Sequence, residues 1–227
     1  MIFDAIRQGD AEQIRTLLAA DPALADSRTP EGASTVLWAV YTRHPELAPL
    51  LLGSRPPDFF EACALGADAR IVELLAVDRQ LVEQYSADDF TALGLAAFFG
   101  HRNAARLLLD AGANPNQASR NALHVTPLHS ACAAGHAAVA GLLLEHGGDP
   151  NAAESNGMTP LHTAAGAGNR EIAALLVDAG ADRARQSRDG STPAAIARKY
   201  GHPELAALLG GVTVLGEAGS DTPQTRD

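Results

Sequence analysis

The sequence predicts an all-α solenoid, in which helix-turn-helix units stack on one another. Three observations support this prediction. A segment recurs every 33 residues, its copies carry helix-starting and helix-ending residues at fixed places, and aromatic residues make up only 4% of a chain whose apolar residues are mostly Ala and Leu. A single helix pair of this composition cannot bury its apolar stripe alone, so neighbouring units must stack.

The recurring segment is centred on Thr-Pro-Leu-His. This motif stands at 126–129 and again at 159–162, and Thr-Pro-Ala-Ala follows at 192–195, each copy 33 residues after the last. Thr91 precedes Thr126 by 35 residues, so one unit has two extra residues. In every copy a Gly follows the Thr by nine residues. The regular spacing therefore indicates one structural unit that is repeated along the chain.

The residues of each copy fit a pair of short helices. Thr126 and Thr159 are good N-caps, and a Pro follows each of them at the first helical position, where its missing N–H costs nothing. Gly135 and Gly168 can end the first helix in a left-handed turn. The Leu-rich run that comes next supplies the apolar face of the second helix.

This pattern resembles the ankyrin repeat, and the resemblance spans roughly residues 1–211. It implies two antiparallel helices per unit and a long finger, often a β-hairpin, that reaches to the next unit. We expect about seven units, with a polar N-terminal cap unit at 1–34 and a closing unit at 192–211. The second finger is expected to be truncated, because residues 53–57 replace it, and residues 212–227 are expected to form a flexible polar tail.

Charge and composition exclude several classes of function. A net charge of −10 argues against nucleic-acid and anionic-membrane partners, which require a basic face. No apolar run reaches the length of a membrane span, and Asp4 interrupts any secretory signal core. Two cysteines are too few for a disulfide-stapled fold, so a cytoplasmic protein is predicted. The wealth of Ala, Gly and Pro suggests a GC-rich bacterial source.

No catalytic, cofactor-binding or metal-binding residues are expected. The chain lacks His-Glu-x-x-His, Cys-x-x-Cys, a phosphate loop and Gly-x-Ser-x-Gly. His-Pro-Glu at 44–46 and at 202–204 falls where second helices begin, so these residues are interpreted as helix-starting. Most of the other histidines occupy repeat positions, where hydrogen bonding between units is expected. Cys63 and Cys132 are interpreted as buried free thiols.

An aromatic cluster is the strongest indication of a binding surface. Phe90, Phe98 and Phe99 fall in one unit at positions where the other units have small or polar residues. In the ankyrin family these positions usually lie on the concave surface, so the three are predicted as partner anchors. Asp88 and Asp89 are expected to complement a basic partner. The remaining candidates on the same face are Thr42, Arg43, Met158, Lys199 and Tyr200.

The sequence leaves three functional hypotheses. The first is a module that binds another protein through its concave finger and first-helix face, as a scaffold, inhibitor or regulator, with a monomeric chain. The second is a structural protein that self-associates through the same aromatic patch. The third is a small-ligand-binding protein or enzyme that uses the gap left by the truncated finger, near Trp38 and Tyr41. One of the Phe residues at least is expected to be exposed.

Overall fold

The computed structural model describes residues 2–211 and consists of α-helices joined by turns and short 3-10 helices. The predicted tail at 212–227 lies outside the described residues. Within residues 2–211 there are fourteen α-helices and no β-strand: α1 Ile2–Gln8, α2 Ala11–Ala20, α3 Thr35–Tyr41, α4 Ala48–Leu52, α5 Phe59–Leu65, α6 Asp68–Val77, α7 Ala92–Phe98, α8 Arg102–Asp110, α9 Pro127–Ala134, α10 Ala137–Glu145, α11 Pro160–Gly166, α12 Arg170–Asp178, α13 Pro193–Lys199 and α14 Pro203–Leu209.

The helices form two rows. Each odd-numbered helix packs against the even-numbered helix that follows it and against the next odd-numbered helix, as α7 does with α8 and α9. The even-numbered helices α6, α8, α10 and α12 also pack in sequence. A helical repeat solenoid is thereby confirmed. The assignment of all seven pairs to one repeat family stays a prediction, as do the cap unit at 1–34 and the closing unit at 192–211.

The fingers are tight turns rather than strand ladders. The finger at 85–91, for example, closes through hydrogen bonds from Ser86 N to Phe90 O and from Asp89 N to Ser86 O, both 2.9 Å. The described residues contain only two isolated β-bridges, Arg28 with Ser34 and Tyr85 with Thr91, so the expected β-hairpins are not confirmed. We number the fingers by position: finger 1 is 28–34, finger 3 is 85–91, finger 4 is 119–125, finger 5 is 154–158 and finger 6 is 187–191. The short connection at 53–58 stands in the place of finger 2.

Histidine side chains join consecutive units, as predicted. The Nδ1 atom of His129 lies 2.9 Å from the hydroxyl of its N-cap Thr126, and its Nε2 atom lies 3.1 Å from the carbonyl oxygen of Met158 in finger 5. His162 repeats the arrangement with Thr159 and with the carbonyl oxygen of Ser191 in finger 6. Each imidazole therefore caps its own helix and fixes the finger of the next unit.

The core is divided at the short connection. One buried cluster comes from α5 to α14 and their loops, and a second comes from α1 to α4. A small third cluster, which includes Leu37, Ala64 and Leu95, lies between them. Cys63 and Cys132 are confirmed as buried free cysteines, and burial raises the pKa of the Cys132 thiol to about 12. The junction between the two large clusters is where the candidate site lies.

Candidate binding groove

Loss of finger 2 brings fingers 1 and 3 into contact. Gly32 at the turn of finger 1 has φ +99°, and a Cβ placed there would lie 2.3 Å from the carbonyl oxygen of Ala87 in finger 3. Only a glycine permits this approach. The sequence predicted an open gap near Trp38 and Tyr41. The two flanking fingers meet across it, because nothing of finger 2 remains to separate them, and both side chains line the groove beside that contact.

A buried ion pair fills the space at the base of the missing finger. Arg55 of the short connection donates to both carboxylate oxygens of Glu61 on α5, at 2.7 and 2.9 Å. The hydroxyl of Ser34 in finger 1 donates to the same carboxylate at 2.8 Å, and Asp58 completes a capping box with it. The Glu61 side chain is only 1% exposed. The carboxylate therefore joins finger 1, the short connection and α5.

The electrostatics of this pair follow from burial and the adjacent charge. Burial alone would raise the pKa of Glu61, but the hydrogen bonds from Arg55, from the backbone of Asp58 and from Ser34 outweigh it, and the pKa falls below its usual value. The pKa of Asp58 rises instead, chiefly because that carboxyl is desolvated. Of these two neighbouring acids, Glu61 is therefore the one whose charged form the fold favours.

Tyr41 at the end of α3 connects the two sides of the junction. Its hydroxyl donates to Asp88 Oδ2 of finger 3 at 2.7 Å, and its ring centroid lies 5.6 Å from Phe99 and 6.4 Å from Phe90. Burial and the carboxylate of Asp88 raise the pKa of Tyr41, so its hydroxyl stays protonated. These contacts reach across α5, and they hold α3 and α7 in fixed relation.

An apolar groove of about 650 Å³ runs beside these contacts. Fingers 1, 3 and 4 and helices α3, α7 and α9 all contribute to its wall. Its apolar lining comes chiefly from large side chains, namely Trp38, Phe90, Leu95, Phe98, Leu123 and Val125. Its volume is typical of clefts that bury a ligand or the side chains of a partner.

Two of the large apolar side chains in the lining are open to solvent. Phe98 at the end of α7 is 41% exposed, and Leu123 at the turn of finger 4 is 51% exposed. The sequence prediction that at least one Phe is exposed is confirmed by Phe98. Leu123 was missed, although the two extra residues between Thr91 and Thr126 mark the longer finger that carries it.

The predicted anchors divide between the groove and the packing behind it. Phe90 and Phe98 line the groove, whereas Phe99 packs against Tyr41 and is not part of the lining. Asp88 also lines the groove, but it is buried and accepts hydrogen bonds from Tyr41 and from the hydroxyl of Ser86. The interpretation of Asp88 as a free charge for a basic partner is therefore wrong. Its carboxylate holds the finger in place.

Asp89 and the other candidates lie outside the groove lining. Asp89 is exposed at the turn of finger 3 with φ 66°, and Arg43 is exposed after α3. The Thr42 hydroxyl donates to the carbonyl oxygen of Trp38, and the carbonyl oxygen of Met158 accepts from His129. The structure does not bring these residues together with the last two predicted residues, Lys199 and Tyr200, which are exposed at the end of α13.

The groove has an apolar character throughout. Among residues 2–211 no group of three or more His, Cys, Asp or Glu side chains is placed to hold a metal ion. Burial lowers the pKa of His129 at the groove wall, so its imidazole is neutral near pH 7. What the groove offers chemically is apolar surface bordered by a few polar groups.

No helix within residues 2–211 has the length and apolar character needed to cross a membrane.

Comparison with known proteins defines the class. A family model of ankyrin repeats matches residues 59–154 and 128–214, and the chain belongs to the ankyrin-repeat family. Members of this family generally act as protein–protein interaction modules. A curated protein similar to this chain is mouse (Mus musculus) cortactin-binding protein 2, at 34% identity over 108 residues. The match covers 44% of this chain and 7% of the mouse protein, so the chain spans only a small part of that relative.

Proposed function

We propose that this protein is a non-enzymatic interaction module that binds a partner protein at the groove between fingers 1, 3 and 4. The observation that carries the proposal is the groove itself, which is apolar, about 650 Å³ in volume and bordered by the exposed Phe98 and Leu123. The family supports an interaction function, and the mouse relative is named as a binding protein. Such a module would act as a scaffold, inhibitor or regulator of its partner.

The energetics of such a site favour a few central anchors. Complete burial of a Phe or Leu side chain contributes about 1.5–3 kcal/mol relative to exposure. Phe98 and Leu123 are already partly covered, so each has part of that energy left to contribute. Aromatic residues near the centre of an interface usually supply most of the affinity, while the surrounding contacts exclude water. Phe98 is therefore proposed as the principal anchor.

The wider organisation is part of the same proposal. A single repeat domain over residues 1–211, with a polar cap at 1–34 and a closing unit at 192–211, would present the groove on a stiff array. We propose that the protein works as a monomer in the cytoplasm. The acidic net charge of −10 supports a protein partner rather than nucleic acid or an anionic membrane surface.

Site-specific photo-crosslinking tests the position of the site. A photoreactive phenylalanine analogue is placed at Phe98 or at Leu123, and the full chain is irradiated in lysate of its source. The matched controls carry the analogue at Val72 or Val77 of α6, which are apolar and 50% and 87% exposed, but belong to the second-helix row. We expect one defined adduct from both groove positions and none from α6. Adducts of equal yield from α6 would place the binding face elsewhere.

Self-association through the same side chains is the second candidate, because the apolar Phe98 and Leu123 are both exposed. An adduct with the mass of two chains from the groove positions would support it, together with a sedimentation coefficient that rises with protein concentration. A monomer at every concentration would exclude it.

A further inference from the structure

Two polar side chains deep in the junction already have partners. The hydroxyl of Tyr41 donates to Asp88, and both ring nitrogens of His129 are engaged, Nδ1 with Thr126 and Nε2 with the carbonyl oxygen of Met158. Within residues 2–211 the buried side-chain atom that lacks a hydrogen-bond partner is Arg55 Nε, which does not line the groove. The free polar groups of the lining are thus few, namely those of Glu31, Asn121 and Ser130, whereas a large apolar side chain fits its mostly apolar surface.

The border of the groove carries negative charge. Glu31 lines the groove at the turn of finger 1, and Asp89 is exposed at the turn of finger 3, which meets finger 1 at Gly32. In the part of the chain that the structure describes, neither carboxylate has a basic partner. No Lys or Arg lines the groove. The basic residues of these fingers form no ion pair with either acid, since Arg28 donates to the carbonyl oxygen of Gly32 and Arg120 stacks 3.9 Å from the centroid of the Tyr85 ring.

We propose that the groove recognises a segment of its partner in which a large apolar side chain lies next to a Lys or Arg. The inference rests on the proposed function and adds the chemistry of the partner. The apolar side chain enters between Phe98 and Leu123, and the basic group meets Glu31 and Asp89 at the border. Charges at such a border chiefly determine which partner is accepted and how fast it associates, and salt screens them.

Selection of peptides on the full chain tests this chemistry directly. A phage-displayed library of random 12-residue peptides is panned on the wild type and on the double variant Glu31→Lys, Asp89→Lys. We expect the wild type to enrich Lys or Arg within two positions of Phe, Tyr, Trp or Leu. The double variant should enrich Asp or Glu there and keep the apolar residue. The matched control is Glu145→Lys, Asp178→Lys, which changes the net charge equally but alters exposed acids of α10 and α12.

The affinities of one selected peptide for the wild type and the variants test the charge preference separately from the groove itself. For a wild-type-selected basic peptide, the double variant should bind about tenfold more weakly, since each charge at an exposed border contributes roughly 0.2–1 kcal/mol. The Glu145, Asp178 control should bind as the wild type does, and rising salt should weaken the wild-type complex.

Selected peptides without basic residues, or equal affinity for the wild type and the double variant, would overturn the charge preference alone. In that case Phe98→Ser would still abolish binding. If Phe98→Ser binds as tightly as the wild type, or if no peptide is selected, both the charge preference and the proposed groove are wrong.

Discussion

The second half of the chain is held together by contacts that repeat, whereas the junction around finger 1 and the short connection is held by contacts that do not follow the repeat. From the end of α8 to α14, a part we call the regular half, the contacts recur: His129 and His162 each reach the next finger, and the amides of Asn116 and Asn151 each bridge to the next loop. Around finger 1 and the short connection the contacts are specific to that place, such as the close approach of Gly32 to finger 3.

This difference explains where the groove lies. In the regular half each finger is followed by another at the same spacing, so its inner surface is covered in the same way each time. The loss of finger 2 leaves the inner surface of finger 1 without that covering. Tyr41 then contacts Phe90 and Phe99, which lie two units further along the chain. The groove opens beside that contact, between fingers that the regular pattern would not bring together. Irregularity in the repeat is thus the structural origin of the candidate site.

The largest expected effect is at the ion pair of the short connection. Glu61→Ala should lower the free energy of unfolding by about 4 kcal/mol, roughly 3 from the broken buried pair and about 1 from the lost capping box. The broken pair is expected to cost an amount at the lower end of the range for buried ion pairs, because Arg55 is 34% exposed and can be rehydrated. Urea unfolding followed by circular dichroism measures the change.

The regular half supplies the control for that prediction. Glu204→Ala breaks the exposed pair with Arg170 and should change stability little, because both side chains are mostly in solvent. Equal losses from the two variants would mean that the short connection is no more important than an ordinary surface pair.

A second prediction concerns the contact between fingers 1 and 3. Gly32→Ala should cost about 3 kcal/mol, about 1 from the left-handed backbone and about 2 from overlap with the carbonyl of Ala87. Gly190→Ala in finger 6 has a similar φ of +80° but meets nothing within 4 Å, so it should cost only about 1 kcal/mol. The difference between the two unfolding free energies measures the finger contact, and no difference would contradict it.

The regular half could be predicted from sequence because its signals repeat. Thr126 and Gly135 act as the helix-starting and helix-ending residues that their positions indicated, and the copies confirm one another. The junction could not be predicted in the same way. Its contacts join residues far apart in the chain, such as Tyr41 and Asp88, and they depend on how closely fingers 1 and 3 approach after finger 2 is lost. Sequence placed the Phe residues on one face but could not tell that Phe99 is used in packing.

A third, smaller effect is the dependence of stability on pH. It comes from two histidines in the regular half and from Glu61 at the short connection, and the two sources act over different pH ranges. Burial lowers the pKa of His129 and His162, so each binds a proton less readily in the folded protein than in the unfolded chain. Their contribution to stability is therefore complete above the unfolded pKa of about 6.5 and declines as the pH falls below it. The pKa of Glu61 is lowered in the folded protein. Its contribution to stability is therefore complete above the unfolded pKa of about 4.3, and it is lost as the pH falls below that value toward the folded pKa.

Unfolding measured at several pH values checks this order. Between about pH 7.5 and about pH 5.5, on either side of the histidine pKa, the wild type should lose stability. The variant with His129→Gln and His162→Gln should lose less over the same range. An identical pH dependence of the two proteins would show that these imidazoles are not the groups that titrate.

The smallest expected effect on stability is at the proposed anchor. Phe98→Ser should lower the free energy of unfolding by only about 1 kcal/mol, because the ring is 41% exposed and stands at the end of its helix. Phe99→Ser should cost about 2 kcal/mol or more, because that ring packs against Tyr41 in the junction. The two neighbouring variants thereby separate binding from folding. A larger loss from Phe98→Ser than from Phe99→Ser would reverse their assigned roles.

Hydrogen–deuterium exchange with a bound partner tests the central claim most directly. A crosslinked protein or a selected peptide is added to the full chain, and exchange is compared finger by finger with the free protein. The account predicts slower exchange in fingers 1, 3 and 4 (residues 28–34, 85–91 and 119–125) and no change in fingers 5 and 6 (residues 154–158 and 187–191). Protection confined to fingers 5 and 6 would contradict it and would place the binding surface on the regular half.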